Sequence, residues 1–200
     1  MIVLGLTGSI AMGKSTTAAM FRAAGVPVWD ADAAVHRAYG YGGAAVEPVG
    51  ALVPGSRGPS GIDREALRRA IAEDAGLLTR IEQIVHPIVG ADRKGFLEEA
   101  QAGGAAVVVL DIPLLFETGA DAYVDAIVVV TCPPEEQRRR ALAREGMTPG
   151  RFDAILARQM PDAEKRARAD HVIDTGEGME AARAQVAAIL DTLAHPDTIR

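Results

Sequence analysis

Asparagine is absent from this 200-residue chain, cysteine occurs once (Cys132), aromatic residues make up only 4%, and Lys and Arg are outnumbered by Asp and Glu, 21 to 27. Each shortage excludes something. A single cysteine permits no internal disulfide, which fits a reducing compartment. A net charge of −6 argues against a protein that binds nucleic acid through overall charge. The longest apolar runs, near Ala105–Leu110 and Ala126–Val130, are far too short to span a bilayer. The opening Met-Ile-Val-Leu-Gly-Leu has no basic start and no extended apolar stretch with a cleavage site, so no signal peptide is expected. These features lead us to expect a cytoplasmic protein without nucleic-acid or membrane partners, monomeric or weakly homo-oligomeric. Without asparagine, the Asn-Lys-x-Asp motif that guanine-nucleotide switches of the common type require cannot be built.

What remains is sufficient for one compact domain: 48% hydrophobic and 24% charged residues. Continuous apolar stretches at Ile2–Leu6, Ala106–Leu110 and Ala126–Val130 read as strands buried on both faces, with weaker strands at Val26–Trp29 and His171–Ile173. Between them lie helical patterns over Lys14–Ala24, Asp63–Glu73, Pro87–Gln101, Pro134–Arg144, Thr148–Gln159 and Glu177–Leu193. Strands separated by helices predict an α/β fold with a parallel sheet. Gly40–Gly61, rich in Gly and Pro, reads as a long loop with one helical turn at most.

The string Gly8-Ser9-Ile10-Ala11-Met12-Gly13-Lys14-Ser15, followed by Thr16, matches G-x-x-x-x-G-K-[ST] between an apolar strand and a helix. Backbone N–H groups of such a loop surround phosphate oxygens, and glycines let the backbone come close. Lys14 is expected to reach the β- and γ-phosphates of a nucleoside triphosphate, and the Ser15 hydroxyl to ligate Mg²⁺. Ala11 stands where such loops often have glycine. If that position needs a positive φ, alanine costs on the order of 1 kcal/mol.

Val107–Asp111 is an apolar strand ending in a carboxylate, expected beside the Mg²⁺ and holding it through water. Asp30-Ala31-Asp32 follows the second strand, at the sheet edge where ligands bind. One of these carboxylates either accepts a proton from an attacking hydroxyl or caps the following helix. Residues 135–168 hold nine Lys/Arg against six Asp/Glu inside an acidic protein. Arginines closing over a transferred phosphoryl group stabilise its charge, and Arg140 and Arg144, four apart, share a helical face. Arg138, Arg139, Arg151 and Arg166 read better as a solvated surface. His86 has no second His or Cys at ligand spacing, so it is not a metal ligand.

Together these segments resemble the dephospho-CoA kinase family. The resemblance rests on the phosphate loop, Val28-Trp29-Asp30-Ala31-Asp32, Gly61-Ile62-Asp63-Arg64, His86-Pro87 and Asp111-Ile112-Pro113-Leu114-Leu115-Phe116-Glu117. Thr148, Arg158-Gln159 and Ala169-Asp170-His171-Val172-Ile173 complete it, from Ile2 to about Gly176. It implies ATP-dependent phosphorylation of the ribose 3′-hydroxyl of dephospho-CoA. The implied fold is a P-loop kinase, three-layer α/β/α, with a five-stranded parallel sheet. Its core covers about 1–30, 104–134 and 169–200, a helical CoA-binding insertion covers about 31–103, and a lid covers about 135–168. The resemblance makes Asp32 the base, with Lys14 and Arg140 catalytic and Arg144 on ATP. It places His86, Pro87, Leu114, Leu115 and Glu117 near the acceptor. A nucleoside monophosphate or shikimate-type kinase shares the loop, sheet and lid but not the Asp-Ala-Asp, His-Pro and Asp-Ile-Pro-Leu-Leu-Phe-Glu set. Two departures from the family pattern are Ala11 and Thr175, the latter where asparagine is usual.

Overall fold

The computed structural model describes residues 1–194. The chain divides into two compact units, one of residues 1–29 with 100 onward, the other of residues 30–99.

The first unit is built on a five-stranded sheet of β1 (Ile2–Thr7), β2 (Val28–Asp30), β5 (Val107–Asp111), β6 (Ala126–Thr131) and β7 (His171–Asp174), in the order β2-β5-β1-β6-β7. β1 runs parallel to both β5 and β6, and β6 parallel to β7. Val108, Val109 and Leu110 of β5 and Val128, Val129 and Val130 of β6 are all fully buried, as consecutive apolar residues in a strand covered on both faces must be. One face packs Leu4, Leu6, Val109 and Val128 against Phe21 of α1 (Lys14–Ala23) and Val186 and Ile189 of α9 (Met179–Ala194). On the other face Gly5 leaves room for Leu115 and Val124, whose side chains close over it. The expected lid residues form α6 (Pro134–Leu142), α7 (Pro149–Leu156) and α8 (Asp162–Ala167).

The second unit contains α2 (Ala31–Tyr39), α3 (Val46–Leu52), the hairpin of β3 (Arg57–Gly58) and β4 (Gly61–Ile62), α4 (Arg64–Glu73) and most of α5 (Leu77–Ala102). Asp30 caps α2, accepting from the Ala33 N–H at 3.0 Å, and Asp63 caps α4, accepting from Glu65 N–H at 2.8 Å and Ala66 N–H at 3.1 Å. Two expectations change here. The stretch 40–61, expected as a loop, contains a helix of seven residues and a hairpin strand. Pro48 sits in the first turn of α3, where a missing N–H is harmless, and Val49 and Val53 bury its apolar side. The helix expected to begin at Pro87 begins at Leu77 and runs through it. Pro87 is exposed, so water can reach the carbonyl it leaves unbonded.

Gly61 has φ +116°, and a Cβ there would lie 2.1 Å from the Tyr39 carbonyl oxygen. The Gly61→Ala variant is expected to lose roughly 2 kcal/mol or more in denaturant unfolding, from strain and clash together. A midpoint equal to the parent's would refute this account of the hairpin.

Candidate active site

Gly13, with φ 99°, is the N-cap of α1, and neither a side-chain cap nor an acidic residue in the first turn competes for the N–H groups of that helix end. Ala11 has φ 62° and is the one non-glycine residue with positive φ among the described residues. The expected backbone strain at Ala11 is therefore present. Its methyl is not wasted: Ala11 is 6% exposed and clusters with Ala141 of α6 and Phe152 of α7. The rest of the turn is gripped from outside. Ile10 donates its N–H to Gln159 Oε1 at 2.9 Å and accepts from Gln137 Nε2 at 2.9 Å. The Met12 carbonyl accepts from the Thr175 hydroxyl at 2.7 Å. Met12 Sδ accepts from the N–H of buried Cys132 at 3.2 Å.

The parallel register puts Leu6 of β1 beside Asp111 at the end of β5, so this carboxylate stands at the same sheet edge as the loop. Asp111 is 2% exposed and ion-paired with Lys14 Nζ. Ser15 is exposed at the start of α1. A serine hydroxyl and a carboxylate are hard oxygen donors of the kind Mg²⁺ accepts, with phosphate and water filling its other positions. No group of three or more His, Cys, Asp or Glu able to hold a metal exists among the described residues.

Thr175, one of the two departures noted in the sequence, has a defined role in this arrangement. Its hydroxyl donates to Met12 and accepts from Arg140 Nη1 at 2.7 Å, while its carbonyl accepts from Arg140 Nη2 at 2.9 Å. Arg140 Nε donates to Glu136 at 2.6 Å. The guanidinium is thus committed on three nitrogens. Bonds from Arg139 and Arg140 hold the Glu136 carboxyl down at about 2, so Glu136 stays ionised across the working pH range. Gly13, Arg140, Arg144, Thr175 and Met179 line a pocket of about 330 Å³. Arg144 and Arg158 are exposed, and their side chains make no hydrogen bond or ion pair among the described residues.

The stretch after β5 divides. Leu114 is 40% exposed, whereas Leu115 is fully buried and belongs to the core. Glu117 Oε1 accepts from the Met160 N–H at 2.7 Å and lies 2.8 Å from Nζ of Lys165, which is wholly buried. This is an ion pair rather than an aligned hydrogen bond. Burial alone would push the Glu117 carboxyl up, but Lys165 and the Met160 N–H outweigh it and hold it below the ordinary glutamate value. In the second unit Asp30 is occupied as a cap while Asp32 is exposed in the first turn of α2, and His86 and Pro87 are exposed in the middle of α5. Gln137, Lys165 and Met179 carried no functional signal in the sequence, and Gln159 was visible only as a residue following Arg158.

The family profile described as Dephospho-CoA kinase matches residues 2–180. A Dephospho-CoA kinase of Rhodopseudomonas palustris is 56% identical over 194 residues, 97% of this chain and 96% of that protein. One of Cereibacter sphaeroides is 58% identical over 187 residues, covering 94% and 93%. Among solved structures, a Thermus thermophilus protein superposes with a TM-score of 0.82 at 37% identity, over 96% of this chain and 97% of that one. A dephospho-CoA kinase from Campylobacter jejuni, 22% identical over 98% of each chain, shares the fold with a TM-score of 0.72.

Removing the partner of a buried charge costs about 3–5 kcal/mol. Glu117→Gln is therefore expected to lower the denaturant midpoint strongly, and adding Lys165→Met to recover much of the loss. Because the carboxyl is lowered in the folded state, the pair stabilises above the ordinary glutamate range, and its contribution fades as pH falls through the lowered value. The acid limb of a stability profile should accordingly flatten in the double variant. A double variant no more stable than Glu117→Gln would refute the pairing argument.

Proposed function

The chain belongs to the dephospho-CoA kinase family, and we propose that it transfers the γ-phosphoryl group of ATP to the ribose 3′-hydroxyl of dephospho-CoA, the last step of CoA synthesis. The observation that carries the reading is the phosphate loop, with Lys14 and Asp111 ion-paired at its base, set beside a pocket formed by Arg140 and Thr175. The triphosphate lies along Gly8–Thr16 with the base in that pocket, whose volume is at the low end for small-molecule sites. Lys14 exchanges Asp111 for the β- and γ-phosphates. Ser15 and, through water, Asp111 would hold Mg²⁺, which neutralises charge between those phosphates when bound.

The arginines divide by their partners. Arg140, fixed to Glu136 and Thr175, forms the wall of the nucleotide pocket. Arg144 lines the same pocket and stays on the nucleotide, whereas Arg158, with an uncommitted guanidinium group, is better suited to the charge that develops on the transferred phosphoryl group. Asp32 is the base: Asp30 is held by the Ala33 N–H, which leaves Asp32 as the carboxylate of that pair open to a hydroxyl. Such transition states are loose, so Asp32 orients the hydroxyl and takes its proton late. Leu114, His86 and Pro87 are assigned to the acceptor, and Glu117 acts on it only indirectly, through the segment it anchors. We place the reaction in the cytoplasm.

Turnover of ATP with and without dephospho-CoA, with phosphorus NMR of the product, tests the reaction; a product lacking a 3′-phosphomonoester refutes it. Asp32→Asn should keep ATP binding and lose about 100-fold or more in kcat, whereas near-normal turnover removes Asp32 from the chemistry. Arg158→Ala should lower kcat, and Arg140→Ala and Arg144→Ala should chiefly raise KM for ATP. The opposite pattern would reverse their assignments.

A further inference from the structure

The strained turn of the phosphate loop is held by two amide side chains far away in sequence. Ile10, immediately before Ala11, has both of its backbone polar groups engaged, its N–H by Gln159 Oε1 and its carbonyl by Gln137 Nε2, each at 2.9 Å. The chemistry fixes both amide orientations, since only oxygen can meet an N–H and only nitrogen can meet a carbonyl. Gln137 is 4% exposed, so its amide has little alternative in water. Ala11 itself, at φ 62°, is in a conformation an alanine leaves readily once nothing opposes it.

We propose that Gln137 and Gln159 are positioning residues for nucleotide binding. They pin the two peptide groups that flank Ile10, the second of which leads into Ala11, and thereby keep Ala11 left-handed, the state in which the loop N–H groups face phosphate. The two glutamines flank α7, Gln137 from α6 and Gln159 just beyond its end. Nucleotide affinity therefore depends on how the α6–α7 segment sits. Phe152, in the same buried cluster as Ala11, reinforces the same grip. In other chains a glycine at position 11 would make such a clamp less important, because glycine populates positive φ as easily as negative. Here the alanine makes the clamp necessary.

This inference rests on Gly8–Thr16 being the phosphate site, and the test separates the two ideas. ATP·Mg²⁺ is titrated calorimetrically into the full chain without acceptor, and KM for each substrate, kcat and thermal midpoint are measured alongside. Gln159→Met and Gln137→Met, close in shape but lacking the amide, should each weaken ATP binding about fivefold, the factor that matches the strain of one left-handed alanine. KM for dephospho-CoA should move less than twofold. Adding Ala11→Gly to Gln159→Met should restore most of the lost affinity, because the turn no longer needs to be held. A purely structural glutamine would lower the thermal midpoint, shift both KM values together and gain nothing from glycine; that result overturns the proposal. So does parental ATP affinity in both methionine variants. Failure of the parent protein to bind ATP at all would instead overturn the assignment of the loop.

Discussion

Backbone N–H groups can converge on a phosphate only if the chain between strand and helix turns through left-handed conformations, and in this protein that requirement falls on Ala11 and Gly13. Glycine meets it without cost; alanine does not. The surroundings of the loop reflect that constraint. Thr175 holds the Met12 carbonyl, Cys132 and Met12 meet through sulfur, and the Ala11 methyl packs with Ala141 and Phe152. Burying a methyl contributes about 0.8 kcal/mol, close to the strain it accompanies. The alanine is therefore a nearly neutral choice for stability, although it makes the loop depend on its neighbours for shape.

The sheet supplies the charge that complements the loop. Parallel pairing of β1 with β5 sets Asp111 beside Leu6, one residue before the end of β1, so a carboxylate stands where Lys14 can meet it. Burial of Asp111 at 2% exposure makes an unpaired charge there costly, and Lys14 relieves it. On the proposed reading, a phosphate that competed for the lysine would weaken this ion pair, and a cation beside the carboxylate would offset the loss. A parallel rather than antiparallel neighbour is what brings both groups to one edge.

Much of this was legible in the sequence. The strands were readable as β-branched apolar runs, and the phosphate loop by spacing alone. Ala11 could be identified as strained because the motif fixes its backbone. Other features were not readable. Pro87 suggested a helix start, because proline disfavours helix in the residue before it, yet α5 carries it on an exposed face. Gly and Pro in 40–61 concealed α3, whose evidence is the spacing of Val46, Val49 and Val53. Gln137 and Gln159 lie 127 and 149 residues from Ile10, and no local pattern announces a bond made across that distance.

Glu117 has a structural task in the fold that its motif does not announce. Its place in Asp-Ile-Pro-Leu-Leu-Phe-Glu suggested the acceptor, but in the fold one carboxylate oxygen meets both the Lys165 ammonium and the Met160 N–H. A lysine with no exposure can remain charged only with such a partner. Met160 directly follows Gln159, so the N–H that Glu117 holds belongs to the same short segment that presents an amide to Ile10. The carboxylate after β5 and the backbone of the phosphate loop are therefore joined through two consecutive residues. A displacement of that two-residue segment would strain both bonds together, since neither can be kept without the other's backbone in place.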